Sequence, residues 1–378
     1  MIVENLLVLL VGIDTAIILA GGYATRLRPL TLTRPKALLP ILGKPLLDWI
    51  LSNLRNAGIK KVYISVRYMS NMIKERYDDG SEYGLKIEYV EEVSPLGDGG
   101  PIPLIVERFG INEPFLVVYG DVFSDVSLES FIKFHLERGA TASIVLTRVD
   151  NPSRYGVAQV GADGRVVKFV EKPQGQPPSN LVNAGFYIFS PELMRYFPVK
   201  KPSKLAVDVL PKLVEDGLLS AYIHEGLWLD IGIPKDYLKA NLSALKHLMP
   251  EGFISPTSEI GDNVEIIKPV FIDENAKIGD NSVIGPYALI GKATIVGNNA
   301  RIVNSLLLDN VVTESACYLK GAIVGAGSHI GRWVRISPGV VLGDEVRVYD
   351  EVFITEDVTI LPHKELSDDI IEEGKIIL

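Results

Sequence analysis

The sequence is poor in residues that define several classes of protein, and each shortage excludes something. Its 378 residues include one cysteine, Cys317, so no internal disulfide can form and no cysteine set is present for a metal cluster. Basic residues are outnumbered, with Lys+Arg 38 against Asp+Glu 47 and a net charge of −9. That balance argues against a protein that coats nucleic acid. The lone thiol favours a reducing, cytoplasmic setting.

An apolar stretch near the N-terminus is similar to a membrane span but lacks two of its features. Residues 5–22 carry Asp14 in their middle, and the first basic residue of the chain is Arg26. A signal peptide needs positive charge before its apolar segment, and a transmembrane helix needs roughly 20 apolar residues. We therefore predict no membrane partner, an apolar extension over residues 1–14, and a buried parallel strand over Ala16–Ala20.

The rest of the chain has a folded composition and a length that favours two domains. Hydrophobic residues make up 47% and charged residues 22%. Over residues 15–248 apolar strands such as Lys61–Val66 and Phe115–Tyr119 alternate with helical segments such as Leu128–Arg138. This alternation predicts an α/β domain with a Rossmann-like, mixed and mostly parallel sheet. A hairpin is expected between residues 157–160 and 165–171.

Residues 249–378 follow a different period. Aliphatic residues recur at every sixth position from Ile260 to Leu308, the register then slips by two, and the repeat continues from Val324 to Ile360. Glycine often follows the aliphatic residue, as at Gly279. This hexapeptide pattern predicts a left-handed parallel β-helix, with one aliphatic side chain per face filling its axis. A β-sandwich would instead show alternation at a period of two.

A glycine pair follows the first predicted strand. Gly21 and Gly22 leave backbone N–H groups open to a phosphate, and Arg26 and Lys36 supply positive charge beyond them. The segment is neither a Walker loop nor a dinucleotide fingerprint, because it lacks the spacing of both. It predicts a phosphate-binding loop of another kind.

The complete string GGYATRLRPLTLTRPKALLPILGKP resembles the signature of the sugar-1-phosphate nucleotidylyltransferases. Further motifs agree in chain order, among them LGDGG at 96–100, FVEKP at 169–173, NAGFY at 183–187 and WLDIG at 228–232. Within this superfamily the chain is most similar to the mannose-1-phosphate guanylyltransferases, and the resemblance covers residues 15 to about 365. It implies transfer of a nucleotidyl group from an NTP to a sugar 1-phosphate, with GTP and mannose 1-phosphate as the leading pair.

The resemblance also implies roles for individual residues. Both substrates are polyanions, so catalysis needs positioning and positive charge more than an acid or a base. Arg26 and Lys36 would hold the triphosphate, and Asp121 and Asp230 would bind Mg²⁺. The other implied substrate contacts are Gly21, Gly22, Gly97, Gly99, Glu171, Lys172, Asn183 and Gly185.

Two departures from the family pattern leave the nucleotide base open. Ala24 stands where the signature has glycine, and Asp98 stands where the second loop carries a small or hydroxyl residue. Thymidylyl or uridylyl transfer to glucose or N-acetylglucosamine 1-phosphate is therefore the nearest alternative. A non-catalytic subunit similar to those of the translation-initiation exchange factor is an alternative of another class.

Two further roles concern the β-helix. A second activity there, acetyl transfer, would need a catalytic base, and His329 alone does not form an adequate site. The β-helix is expected to mediate homo-oligomerisation.

Overall fold

A computed structural model of the chain describes residues 12–92, 94–198 and 201–378. The described residues divide into two compact units. The sheet unit contains the described residues up to Gly22 together with Leu47–Trp228, and the β-helix unit contains Tyr23–Leu46 and Leu229–Leu378. Most of the apolar extension predicted over residues 1–14 lies outside the described residues.

Strands and helices alternate before the repeat region, as the sequence predicts. The strands are β1 Thr15–Leu19, β2 Pro40–Ile41, β3 Lys44–Pro45, β4 Lys61–Val66, β5 Lys86–Glu91, β6 Phe115–Tyr119, β7 Val122–Ser124, β8 Ala142–Arg148, β9 Gly156–Val160, β10 Val166–Glu171, β11 Leu181–Phe189, β12 Leu219–His224 and β13 Trp228–Asp230. The α-helices are α1 Leu46–Asn56, α2 Ser70–Tyr77, α3 Pro101–Phe109, α4 Leu128–Arg138, α5 Leu210–Glu215 and α6 Pro234–Leu248. Shorter helical segments are Thr25–Leu27, Lys36–Leu38, Ser81–Tyr83, Pro152–Arg154, Pro191–Tyr196 and Leu205–Val209.

A mixed sheet of nine strands organises the sheet unit. Strands β6, β1, β4 and β5 run parallel side by side, with Leu19 opposite Tyr119 in the register. Strand β11 is antiparallel to β6 and β8, and the predicted hairpin forms between β9 and β10. The α/β fold class with a mixed sheet is thereby confirmed. Among the described residues, no helix combines the length and the apolar character that crossing a bilayer requires.

Helix α4 shows how local sequence sets the limits of an element. It begins after Ser127, whose hydroxyl oxygen accepts the backbone N–H of Ser130 at 3.2 Å. It ends at Gly139, whose φ of 55° is the left-handed conformation that closes many helices.

Buried His135 on helix α4 gives a pH-dependent contribution to stability. It is 2% exposed and its Nδ1 lies 2.9 Å from the Ser143 hydroxyl, and burial lowers its pKa from 6.5 to about 4. The unfolded chain binds this proton below about pH 6.5 and the folded chain does not, so stability is lost as the pH falls. Between pH 7 and pH 5 we expect the loss to be about 2 kcal/mol. His135→Gln should abolish that part of the difference in urea unfolding; an unchanged difference would contradict the assignment.

The repeat region forms a parallel β-helix, which confirms the hexapeptide prediction. Its strands form three parallel sheets whose members are separated by three positions in strand order, except that β32 and β34 are two positions apart. The first sheet consists of β14 Phe253–Ile254, β17 Val270–Ile272, β20 Ala288–Ile290, β23 Leu306–Leu307, β26 Ile323–Val324, β29 Val341–Leu342, β32 Thr359–Ile360 and β34 Ile376–Ile377. The second consists of β15 Glu259–Ile260, β18 Lys277–Ile278, β21 Ile295–Val296, β24 Val312–Thr313, β27 His329–Ile330, β30 Arg347–Val348 and β33 Glu365–Leu366. The third consists of β16 Glu265–Ile266, β19 Val283–Ile284, β22 Arg301–Val303, β25 Tyr318–Lys320, β28 Arg335–Ile336 and β31 Phe353–Ile354.

The slip in the repeat arises from two shortened turns. Leu307 opposes Ile290 and Val324 in the strand register, so it takes the inward position that the period of six assigns to Leu308. One residue is missing from the turn before Leu307 and one from the turn before Val324. Between them the inward residue of the second sheet is Thr313, which is 1% exposed and polar. An aliphatic pattern could not detect it.

The segment from Tyr23 to Leu46 packs within the β-helix unit. The Tyr237 hydroxyl of helix α6 donates to the Pro40 carbonyl at 2.7 Å. Asn241, fully buried on the same helix, accepts the Leu42 N–H through Oδ1 at 3.0 Å. These bonds satisfy backbone groups of a segment with little regular structure, and they fix its path against helix α6.

Candidate active site

The first glycine loop begins where strand β1 ends. A Cβ on Gly21 would lie 2.3 Å from Oε1 of Glu92, whereas one on Gly22 would meet nothing within 4 Å. Glu92 accepts the Ser65 hydroxyl at 2.7 Å and the Leu96 N–H at 3.2 Å. Its carboxylate therefore contacts the first loop and holds the start of the second one. Apart from its place after strand β5, nothing in the sequence distinguishes Glu92 from other glutamates.

Asp121 follows strand β6 at the same edge of the sheet. Because β1 and β6 are parallel neighbours in register, the residues after them emerge side by side. Gly120 donates its N–H to the Leu19 carbonyl at 2.9 Å, and a Cβ there would lie 2.9 Å from that oxygen. Glycine at 120 thus permits the close approach that places Asp121 beside the turn leading into Gly21.

The second glycine loop is held by the segment around Ser203. Gly97 has a φ of 71°, and a Cβ there would lie 2.2 Å from the Ser203 carbonyl oxygen. Gly99 donates its N–H to that same oxygen at 2.9 Å. The Ser203 hydroxyl is buried beside Gly99 and makes no hydrogen bond. Gly97 is therefore required by close backbone packing and Gly99 by its close approach to Ser203, and this contact of Ser203 was not predicted from the sequence.

Asp98, between these glycines, belongs to a chain of polar contacts. It accepts the Tyr119 hydroxyl at 2.5 Å through Oδ2 and the Leu205 N–H at 2.9 Å through Oδ1. The Tyr119 ring lies 5.6 Å from the Tyr187 ring, and the Asn183 amide donates to the Tyr187 hydroxyl at 2.6 Å. Burial raises the pKa of Tyr119 well above its usual value, and that of Tyr187 as well, so both phenols keep their protons.

Asn183 and Gly185 lie on strand β11 where it faces the end of β6. Asn183 accepts the Gly185 N–H at 3.1 Å, and Gly185 has a φ of 83°. A Cβ on Gly185 would lie 3.0 Å from the Tyr119 ring. The structure thus brings Asp98, Asn183 and Gly185 together around two buried tyrosines. Tyr187 is the last residue of the NAGFY motif and Tyr119 ends a predicted strand, but their packing against each other was not predictable from the sequence.

Glu171 is the last residue of strand β10, and Lys172 follows it. The Lys172 ammonium lies 3.7 Å from the Glu171 carboxylate, and the lysine side chain is 63% exposed. Lys172 has a φ of 44°, a left-handed conformation that costs a residue with a Cβ about 1–2 kcal/mol and is concentrated at functional sites. Burial raises the pKa of Glu171, Lys172 opposes this, and the charge of Asp98 adds to it. The carboxyl group of Glu171 therefore keeps its proton to a higher pH than a free glutamate does.

The β-helix unit carries the other predicted site residues. Arg26 lies in the helical turn Thr25–Leu27, which begins after Ala24 in the left-handed conformation, with a φ of 47°. A Cβ on Gly232 would lie 3.3 Å from Oδ2 of Asp230 and 3.8 Å from Nη2 of Arg26. Arg26 and Asp230 therefore lie close together beside Gly232. Lys36 begins the next helical turn, Lys36–Leu38.

The carboxylates suit a magnesium ion by their chemistry. In the described ranges no three His, Cys, Asp or Glu side chains form a group that could hold a metal. Mg²⁺ commonly takes one or two carboxylates and fills its octahedron with water and substrate phosphate. Asp121 at the end of a buried strand and Asp230 beside a cation both fit this donor chemistry.

Comparisons with known proteins identify two family models and several relatives. The model described as Nucleotidyl transferase matches residues 15–247, and the model described as GMPPB C-terminal domain matches residues 266–377. The mannose-1-phosphate guanylyltransferase catalytic subunit beta of Danio rerio is 38% identical over 96% of this chain and 99% of its own length. The Drosophila melanogaster protein of that name is 38% identical over 94% and 95%. A Bacillus anthracis structure titled as a glucose-1-phosphate thymidylyltransferase has a TM-score of 0.57 and 25% identity, over 61% of this chain and 94% of its own.

Proposed function

The chain belongs to the nucleotidyl transferase family, and we propose that this enzyme transfers the guanylyl group of GTP to mannose 1-phosphate. A phosphate oxygen of the sugar phosphate attacks the α-phosphorus, and the bond from that phosphorus to the bridging oxygen of the β-phosphate breaks. The products are GDP-mannose and pyrophosphate. The observation that carries this proposal is the 38% sequence identity to guanylyltransferases over nearly the full length of both chains.

Catalysis of this reaction depends mainly on positively charged groups that bind the phosphates. Arg26 and Lys36 would bind the triphosphate, and the backbone N–H groups of Gly21 and Gly22 would face its oxygens. Gly22 is open on the side where a Cβ would point, which leaves room for such an approach. The sugar phosphate is ionised at neutral pH, so no general base is needed for attack.

Asp121 and Asp230 would hold Mg²⁺. When bound, the ion would neutralise charge on the phosphate oxygens and on departing pyrophosphate. Asp121 emerges at the carboxyl end of β6, the edge at which parallel sheets bind their ligands. Asp230 lies near Arg26 beside Gly232, so a carboxylate for the metal and a cation for the triphosphate would be available in the same place.

Glu171, Lys172, Asn183 and Gly185 would bind the sugar phosphate, with the lysine on the phosphate and the glutamate on sugar hydroxyls. The exposed ammonium of Lys172 sits on a strained backbone, which supports a ligand-binding role. Gly97 and Gly99 would contact the nucleotide through the second loop.

Lys172→Met tests the sugar-phosphate contact. Loss of one charged contact to a phosphate should raise the KM for mannose 1-phosphate by roughly 10- to 100-fold and leave the KM for GTP nearly unchanged. Lys168→Met is the matched control, because Lys168 is an exposed lysine on strand β10, which ends just before Lys172. Equal KM values for the two variants would contradict the role of Lys172.

A substrate panel tests the function as a whole. Purified protein with Mg²⁺ is mixed with each of GTP, dTTP, UTP and ATP and with mannose, glucose or N-acetylglucosamine 1-phosphate, and pyrophosphate release is measured. We expect the highest kcat/KM for GTP with mannose 1-phosphate. Faster release with dTTP or UTP would favour the alternative transferases. Release from no pair, with co-purification of an initiation factor, would favour the exchange-factor alternative.

We also propose a reducing, cytoplasmic setting and self-association through the β-helix. Burial raises the pKa of Cys317 to about 12, so this thiol is protonated and poorly reactive. Tyr318, Trp333 and Phe353 are exposed on the β-helix, and aromatic side chains of this kind are enriched at interfaces. Light scattering coupled to size-exclusion chromatography should give a mass above the 41.4 kDa of one chain.

A further inference from the structure

Two residues between Arg26 and Lys36 contact the β-helix through a single carboxylate. The Thr33 hydroxyl donates to Oδ2 of Asp344 at 2.6 Å, and Nη2 of Arg34 donates to the same oxygen at 2.5 Å. The side chain of Asp344 is 9% exposed and that of Arg34 is 22% exposed. The contact therefore joins residues some 310 positions apart in a largely water-excluded place.

Asp344 also takes part in a ladder that the β-helix repeats at its corners. Its Oδ1 accepts the Ala326 N–H of the preceding turn at 2.8 Å. Asp280 accepts the Asp262 N–H in the same way at 2.8 Å, and Asn298 accepts the Asp280 N–H at 2.9 Å. One oxygen is enough for the ladder, and a neutral asparagine fills that role in this chain. The second oxygen of Asp344 is surplus to the β-helix.

That second oxygen serves the segment carrying the phosphate-binding cations. A charge-assisted bond from arginine to a buried carboxylate is strong and directional, and loss of one partner leaves the other charge poorly solvated. Arg34 also lies near Asp309. Burial raises the pKa of Asp309, and the hydrogen bond from the Lys292 N–H and the charge of Arg34 partly offset that increase. Asp309 itself accepts the Lys292 N–H, so its bond belongs to the ladder.

We propose that Asp344 is a positioning residue for nucleotide binding. It fixes Thr33 and Arg34, and through them the spacing of Arg26 and Lys36 along the segment. The proposal rests on the function proposed above, because it assigns those two cations to the triphosphate. A cation that is held in place before the substrate arrives loses less conformational entropy on binding. Small displacements of such positioned groups also lower reaction rates strongly.

Asp344→Asn separates this role from the structural one. The asparagine keeps an oxygen for Ala326, as Asn298 does for Asp280, but it loses the charge that Arg34 requires. Asp280→Asn is the matched control, since Asp280 occupies the same ladder position and its Oδ1 accepts the Asp262 N–H of the preceding turn. Asp280→Asn should unfold within a few degrees of the parent protein, and Asp344→Asn at a lower temperature but still cooperatively, because Arg34 loses its partner.

We expect Asp344→Asn to raise the KM for GTP and the Kd for MgGTP by about 10-fold, with the KM for mannose 1-phosphate nearly unchanged. Asp280→Asn should leave all three values at the parental level. Arg34→Met should have a similar effect to Asp344→Asn, and the double variant should be little worse than either, because one interaction is lost in all three. Equal GTP affinity in the two asparagine variants would overturn the proposal.

Calorimetric titration with MgGTP keeps this test distinct from the test of function. If the parent protein binds MgGTP but transfers it to no sugar phosphate, the proposed function fails while the binding arm still tests Asp344. If the parent protein is active and Asp344→Asn binds MgGTP normally, only the role of Asp344 fails. Equal increases in both KM values would also overturn the proposal, since they would indicate a general disturbance.

Discussion

Asp121→Asn is expected to lower the turnover of GTP and mannose 1-phosphate by roughly a thousand-fold while leaving the fold intact. The substitution keeps the size of the side chain and removes the charge that would hold Mg²⁺ at the end of strand β6. Mg²⁺ would then bind weakly and leave the repulsion between two polyanions uncompensated. Pyrophosphate release at saturating substrates, over a range of Mg²⁺ concentrations, measures the effect.

The dependence of activity on Mg²⁺ concentration distinguishes loss of the ion from loss of structure. A weakened ion site should show partial recovery of activity as Mg²⁺ is raised, whereas a damaged fold should not recover. Asp150→Asn is a suitable control, because Asp150 is an exposed carboxylate of the same unit and lies outside the site. A parental kcat in the Asp121→Asn enzyme would contradict the assignment of Asp121 as a metal ligand.

The two departures from the family signature have physical explanations in the structure. Ala24 adopts a left-handed conformation, with a φ of 47°, which explains why the family prefers glycine there. The carboxylate of Asp98 is engaged by the Tyr119 hydroxyl and the Leu205 N–H. Asp98 therefore holds Tyr119, which packs against Tyr187, and its presence does not by itself argue against a guanine base.

Elements with strong local patterns were predictable from the sequence. Strands Lys61–Val66 and Phe115–Tyr119 and helix Leu128–Arg138 have the predicted limits, because apolar periodicity, a serine cap and a terminal glycine act over a few residues. The β-helix was predictable for the same reason, since each turn repeats one local pattern.

Contacts between distant residues were not predictable in this way. Glu92 packs against Gly21, Ser203 holds Gly99, and Asp344 binds Arg34 across long stretches of chain. None of these residues stands in a pattern that sets it apart from other serines and carboxylates of the sequence. Asp344 in particular has the same local context as Asp280, with glycine before it in both places. Only the fold distinguishes the two.

The repeat glycines of the β-helix lead to a second large expected effect, on stability. A Cβ on Gly325 would lie 2.3 Å from the carbonyl carbon and oxygen of Gly343 in the next turn. Its φ is not in the left-handed region, so close stacking of the turns, and not backbone conformation, demands glycine. Gly325→Ala should force the turns apart and cost about 2–4 kcal/mol of unfolding free energy.

Gly175→Ala is the control for the general effect of adding a methyl group. A Cβ on Gly175 would meet nothing within 4 Å, and its φ is likewise outside the left-handed region, so its stability should change by less than about 0.5 kcal/mol. Denaturant unfolding followed by circular dichroism compares the two variants. Equal midpoints would mean that the turns of the β-helix can separate at little cost, and glycine at these corners would then need another explanation.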